Sequence, residues 1–193
     1  MTRTFLAILV AAVVAASIWT EHRTPGGLLP SPRHPYQSYG SPTVRTETRA
    51  YPRYATGTDD VRVRIDEPVR RIVSQDAHAD EFLYAVVPAE RIVGVSETAY
   101  DPRFSNVYEY AARYHPIVAN NPERVLLTNP DLVITAESVR ADVPNLLRQA
   151  GVPVYRMYSM FETLAAIEDH VRLTGYLTGE DDRAEAEVRR FSQ

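Results

Sequence analysis

The segment His78-Ala79-Asp80-Glu81 holds the densest group of side chains able to do chemistry: an imidazole, then carboxylates two and three residues on. The group invites a metal reading, but a transition-metal site needs three or four converging ligands. His115 and His170 are the other histidines beyond residue 60, and no spacing brings them to His78. A polar residue at a helix start is therefore the default for His78, and no metal is expected. Nucleophilic chemistry has little more to offer. There is no cysteine, and no serine sits in a nucleophile elbow; Ser105, Ser138 and Ser159 read as helix caps. Beyond residue 60 glycine occurs only at 94, 151, 175 and 179, so no glycine-rich phosphate loop exists. No cofactor and no catalysed reaction are expected.

Binding is better supplied, once the elements that carry the side chains are drawn. Val61-Arg62-Val63-Arg64-Ile65 alternates strictly and reads as a half-exposed strand. Arg71 to Ser74, Ile92 to Val95, Ile117-Val118, Leu132 to Thr135 and Val152 to Tyr155 are short β-branched runs without alternation, as expected of strands covered on both faces. Helical stretches fall between them. Asp76 caps the first, with Asp80 and Glu81 in its first turn where the helix dipole favours them. Ser105 caps the second. Asn121 caps a short third, with Pro122 at its first position. A fourth carries Leu146 and Leu147 and ends at Gly151. Ser159 and Glu162 form a capping box for a fifth, which stops near Gly175 to Gly179, and a last helix begins at Glu180. The pattern predicts an α/β fold: a single three-layer lobe of about 130 residues with a mainly parallel sheet.

Open parallel sheets bind ligands in the crevice outside the carboxyl ends of their strands. Five loops qualify: 74–78, 96–105, 119–121, 136–138 and 156–159. From them Asp76, His78, Tyr100, Arg103, Phe104, Asn120, Asn121 and Tyr158 are the candidate ligand-binding residues. Aromatic faces, a few donors and one arginine suit a large, partly apolar, anionic ligand. A formal charge of −4 gives no basic footprint for nucleic acid.

The N-terminus differs from the rest. Phe5 to Ala16 is a twelve-residue apolar run behind Arg3, the length of a signal-peptide core rather than of a membrane span. Residues 1–19 therefore read as a signal peptide, or as an anchor if uncleaved, and export follows either way. Residues 20–60 hold six of the fourteen prolines and four of the eight glycines, without hydrophobic period. They read as an extended spacer, with the binding lobe at 61–179.

Three stretches resemble the periplasmic binding proteins of ABC importers for cobalamin and ferric siderophores. They are Pro68 to Val87, with RRIVSQDAHADEFLYAV; Glu90 to Pro102, ERIVGVSETAYDP; and Asn120 to Thr135, NNPERVLLTNPDLVIT, followed at the expected distance by Gly151-Val-Pro-Val-Tyr155. The resemblance implies a rigid bilobal clamp that holds cobalamin or a ferric siderophore between two α/β lobes joined by a long helix. It implies a periplasmic location and docking to the ABC permease subunits, with Glu123 similar in position to the docking glutamate of the N-terminal lobe. The family's first loop is usually small and hydroxyl-rich, whereas here it is Gln75-Asp76-Ala77-His78. It further implies that residues 180–193 open the interlobe helix and that the second lobe is absent, so a truncated chain is expected. Two rival readings are a membrane-anchored periplasmic interaction domain without a transport role, its tyrosine-rich spacer the recognition element, and, last, a hydrolase or chelatase on the same lobe.

Overall fold

The computed structural model describes residues 49–117, 120–161 and 163–191. The leader at 1–19, the spacer as far as residue 48, Val118, Ala119 and Glu162 lie outside the described residues.

Five short strands form one parallel sheet: β3 (Ile72–Ser74), β4 (Ile92–Ser96), β5 (His115–Ile117), β6 (Leu132–Ala136) and β7 (Val154–Met157). Their order is β5-β4-β3-β6-β7. Ile72 lies opposite both Ile92 and Leu132, and β6 runs beside β7 from Val133↔Val154 to Ala136↔Met157. At the outer end Pro116 of β5 lies opposite Val95. The chain leaves central β3 toward β4 and β5, then returns to β6 on its other side. The switch point therefore falls between β3 and β6, where the loops of an open sheet part to leave a crevice.

Each strand divides its side chains between two faces. Ile72, Leu132, Ile134, Tyr155 and Met157 enter one apolar cluster, together with Phe82, Leu83, Ile167, Val171, Ala184 and Val188. Val73, Val133 and Val154 enter the other, with Val125, Val143 and Leu147. The first face is covered by α1 (Ala77–Val86), α5 (Leu164–Thr178) and α6 (Asp181–Phe191). The second is covered by α3 (Pro122–Leu127) and α4 (Asp142–Gln149). A short α2 (Tyr108–Ala111) and two 3-10 turns, Ala89–Arg91 and Glu97–Tyr100, complete the connections. The expected three layers are present, and the unalternating apolar runs are explained by burial on both sides.

Several local expectations need correction. The spacer expected to run to residue 60 ends earlier, because Arg53–Thr56 forms β1 and pairs antiparallel with β2 (Arg62–Ile65) as a separate two-stranded sheet. Arg53 is the physical reason. It is buried, and its guanidinium donates to Asp181 Oδ2 at 2.8 Å, to the Tyr176 carbonyl at 2.6 Å and to the Arg49 carbonyl at 2.7 Å. Ser159 does not cap α5. The helix starts at Leu164, and the Thr163 hydroxyl accepts from Ala166 N at 3.1 Å. Ser159 is held instead by Glu137, whose Oε2 accepts from its amide and its hydroxyl. Ser105 accepts from Val107 N, but α2 begins only at Tyr108.

At Gly179 the chain takes φ +80 and leaves α5, a conformation that glycine alone adopts without strain. The turn lays α6 back on the lobe. A Cβ on Gly175 would stand 2.4 Å from the Ala184 Cβ, so the two helices touch backbone to side chain.

Candidate functional site

Parallel strands bring the loops that follow them to one edge of the sheet, and α1 and α3 begin at that edge. The loop after β3 is ordered by Asp76, which caps α1 as expected. Its Oδ1 accepts from His78 N at 2.9 Å and Ala79 N at 3.4 Å. The same oxygen lies 3.3 Å from His78 Nδ1. Burial pulls the His78 pKa down, but the Asp76 hydrogen bond and the charges of Asp76, Glu81 and Asp80 outweigh it, so the imidazole titrates above its ordinary value. The His78 ring meets the edge of Phe161, centroids 5.4 Å apart, and Phe161 in turn contacts Phe82 and His170. His170 is buried, its Nδ1 is 2.8 Å from the Ala166 carbonyl, and burial lowers its pKa. Among the described residues no three His, Asp or Glu side chains converge on a metal position.

Asp80 lies in the first turn of α1 as expected, and both it and Glu81 are buried. Asp80 is 1 % exposed. It accepts from Ser96 N at 3.1 Å and Ser96 Oγ at 2.5 Å, which ties α1 to the end of β4. Burial pushes its carboxyl up to about 7 against the hydrogen bonds from Ser96 and Ser74. Glu81 Oε1 accepts from the amide and the side chain of Asn106, both at 3.1 Å, and burial raises its pKa as well. One turn of α1 thus anchors both ends of the long loop that follows β4.

That loop carries Tyr100, Arg103 and Phe104. The Tyr100 hydroxyl donates to the Tyr114 carbonyl at 2.7 Å while the ring stays exposed. Arg103 closes its fork on Asp101, with Nη2 2.5 Å from Oδ2, and its guanidinium lies 5.6 Å from the Phe104 ring centroid. The Asp101 carboxyl is held down at about 2 by those hydrogen bonds. Phe104 is 65 % exposed, an apolar face with no structural burial to explain it.

Around the switch point, Glu137 after β6 and Ser159 after β7 form the bridge described above. The other carboxylate oxygen of Glu137 is buried without a hydrogen-bond partner among the described residues. Tyr158, next to Ser159 in the chain, is half-buried. Asn120 accepts from Arg140 N at 3.0 Å, which joins the β5 and β6 loops, and Asn121 Oδ1 caps α3 by accepting from Arg124 N at 3.0 Å. Glu123 is exposed in the first turn of α3, at the same edge.

The arrangement sorts the expected residues. Asp76 and His78 stand together, backed by Phe161. Tyr100, Arg103 and Phe104 share one loop, with Arg103 already paired. Asn120 and Asn121 are occupied in holding loops and in capping. Sequence reasoning left Phe161 out and placed Asp80 in the first turn of α1 without its partner Ser96; only the fold reveals that both are buried. Chemically the edge offers aromatic faces, an imidazole and hydroxyls, and no nucleophile–base pair is formed among the residues described.

The sequence profile of the periplasmic binding protein family matches residues 72–193. The vitamin B12-binding protein of Vibrio parahaemolyticus is 30 % identical over 129 residues, which are 66 % of this chain and 45 % of that protein. A periplasmic heme binding protein from Pseudomonas aeruginosa aligns with a TM-score of 0.54 at 26 % identity, over 64 % of this chain and 44 % of that one. The heme binding protein HmuT aligns with a TM-score of 0.58 at 24 % identity, over 75 % of this chain and 46 % of that one. The chain therefore spans about half the length of the relatives it matches.

Proposed function

The chain belongs to the periplasmic binding protein family, and from that premise we propose that it contributes a ligand-binding face to the solute-capturing component of an ABC importer. The solute is a large, partly apolar one, cobalamin or a ferric siderophore. One observation carries this reading: the loops after β3, β4, β6 and β7 gather at a single sheet edge around a switch point, with exposed aromatic faces at Tyr100 and Phe104. Such rings supply wide apolar contact, and a few polar groups fix orientation. The named relatives bind vitamin B12 or heme, and each of these ligands is built on a large macrocycle. In this reading Asp76, His78, Tyr100, Arg103, Phe104, Asn120, Asn121 and Tyr158 border the solute. Glu123 meets an arginine of the permease, as an exposed first-turn carboxylate can do in bidentate fashion, and the protein works in the periplasm.

This face supplies one side of a clamp, so its affinity alone is weak, with dissociation constants on the order of 0.1–1 mM. Two-dimensional NMR of the 193-residue chain, titrated separately with cyanocobalamin, hemin and ferric siderophores, tests the proposal. The expected outcome is saturable shifts for one ligand class, confined to amides at 75–78, 97–101, 103–104 and 157–161. Absence of saturable shifts with every ligand, or shifts clustered at the opposite edge of the sheet, overturns it.

A further inference from the structure

A chain of three oxygens leads from the interior to the ligand edge. Asp80 Oδ2 lies 2.5 Å from Ser96 Oγ, and Ser96 Oγ lies 2.6 Å from Thr98 Oγ1. Asp80 and Ser96 are buried, while Thr98 is exposed at the start of the loop that carries Tyr100 and Phe104. A serine hydroxyl has one proton to donate. Whichever neighbour takes that proton decides which way the next hydrogen bond points.

We propose that Asp80, acting through Ser96, sets whether the Thr98 hydroxyl faces a bound solute as a hydrogen-bond donor or as an acceptor. With Asp80 ionised, Ser96 Oγ–H donates to Oδ2. The Ser96–Thr98 bond can then form only with Thr98 Oγ1–H as donor, so Thr98 presents lone pairs outward. When Asp80 takes up one proton, Oδ2–H donates to Ser96 Oγ, the Ser96 proton turns to Thr98 Oγ1, and the Thr98 proton is released toward the edge. One proton gained inside reverses both bonds and changes the polarity of a surface hydroxyl, with no movement of the backbone. Asp80 and Ser96 are positioning residues, and Thr98 is the group that meets the solute.

The surroundings favour a proton uptake near neutrality. Burial raises the Asp80 carboxyl to about 7. Asp76, at the cap of α1, pushes it further up. His78 and Glu81 flank it along α1, Ser74 faces it from the end of β3, and Tyr100 feels its charge from the 3-10 turn. The bearing of this relay on solute capture rests on the reading of the edge given above. Its existence does not.

The test follows the Ser96 amide and the Thr98 methyl group by NMR between about pH 5 and pH 9, where the raised carboxyl titrates. Both signals are expected to move with one common midpoint. In Asp80→Asn both titrations disappear. In Ser96→Ala the amide at 96 still titrates, whereas the Thr98 response falls by about fivefold or more, since its connection is a hydrogen bond and not the through-space field. An unchanged Thr98 response in Ser96→Ala overturns the relay, and so does a wild-type Ser96 amide that does not titrate. Intact relay behaviour in a protein that shows no saturable shifts with cyanocobalamin, hemin or ferric siderophores supports the relay and removes the solute-binding reading instead.

Discussion

Arg53 of β1 and Asp181 at the start of α6 meet at 2.8 Å, although 128 residues separate them in the chain. The guanidinium is held between the rings of Tyr51 and Tyr176, at 4.7 and 5.0 Å from their centroids. Removing one partner of a buried ion pair costs about 3–5 kcal/mol, because the other charge is left without compensation. Arg53→Met is therefore expected to lower stability by about 3 kcal/mol in urea unfolding. Hydrogen exchange of the 53–56 amides should rise at the same time. Arg53→Lys recovers little of the loss, since an ammonium cannot form the planar fork.

The pH dependence of stability is set in part by Asp80. Its folded-state pKa, about 7, lies above the unfolded value of about 3.9. The folded state thus binds the proton more tightly, and its advantage is complete below the unfolded pKa. It is lost as pH rises through about 7, an effect of up to about 4 kcal/mol, since each tenfold difference in proton affinity is worth about 1.4 kcal/mol. Glu81 is raised as well and acts in the same direction. Asp80→Asn is expected to flatten the fall in stability between about pH 4 and pH 7 without abolishing it, as read from denaturation midpoints across that range.

Gly175 has no room for a side chain, with the Ala184 Cβ 2.4 Å and the Glu180 carbonyl 3.0 Å from where its Cβ would stand. Overpacking of this kind costs about 1–3 kcal/mol. Gly175→Ala is expected to lower the melting temperature and to loosen α6, seen as faster exchange at Ala184 and Val188. An unchanged melting temperature would mean that α6 does not rest on α5.

Phe104 separates stability from binding. It is largely exposed, so Phe104→Ala should change stability by no more than about 0.5 kcal/mol. On the proposed function the same change weakens solute binding by several-fold, measured as the midpoint of the NMR titration. Equal affinities for the two proteins would place the solute elsewhere.

Much of the lobe could be read from the chain because local chemistry and tertiary structure agree. The β-branched runs at 72–74, 92–96 and 132–136 are strands in a sheet covered on both faces. Asp76 and Asn121 cap the helices they precede, since a short polar side chain finds orphan amides wherever a helix starts. The failures share a cause. β1 is four residues long, follows a proline, and is held by an arginine whose partners Tyr176 and Asp181 lie more than a hundred residues away. Ser159 had the right spacing for a capping box, but Glu137, in the loop that follows β6, holds it more directly. The burial of the Asp80 carboxyl was not legible, because charged residues seldom lie inside unless paired. Its partner, Ser96, becomes visible only when α1 is laid across β4. At the candidate site the loops were legible from topology alone. Which side chains are occupied in holding those loops, as Asn120 and Asn121 are, was not.

Pro116 sits in the outermost strand of the sheet, beside Val95. An open border of a sheet is a template on which a foreign strand can extend the ladder, and a residue without an amide hydrogen interrupts the row of donors that such growth needs. Among the described residues that strand has three, which offer a second molecule little to zip onto. The β5 border of the sheet is thus poorly suited to fibre-like stacking when copies of the lobe are crowded together.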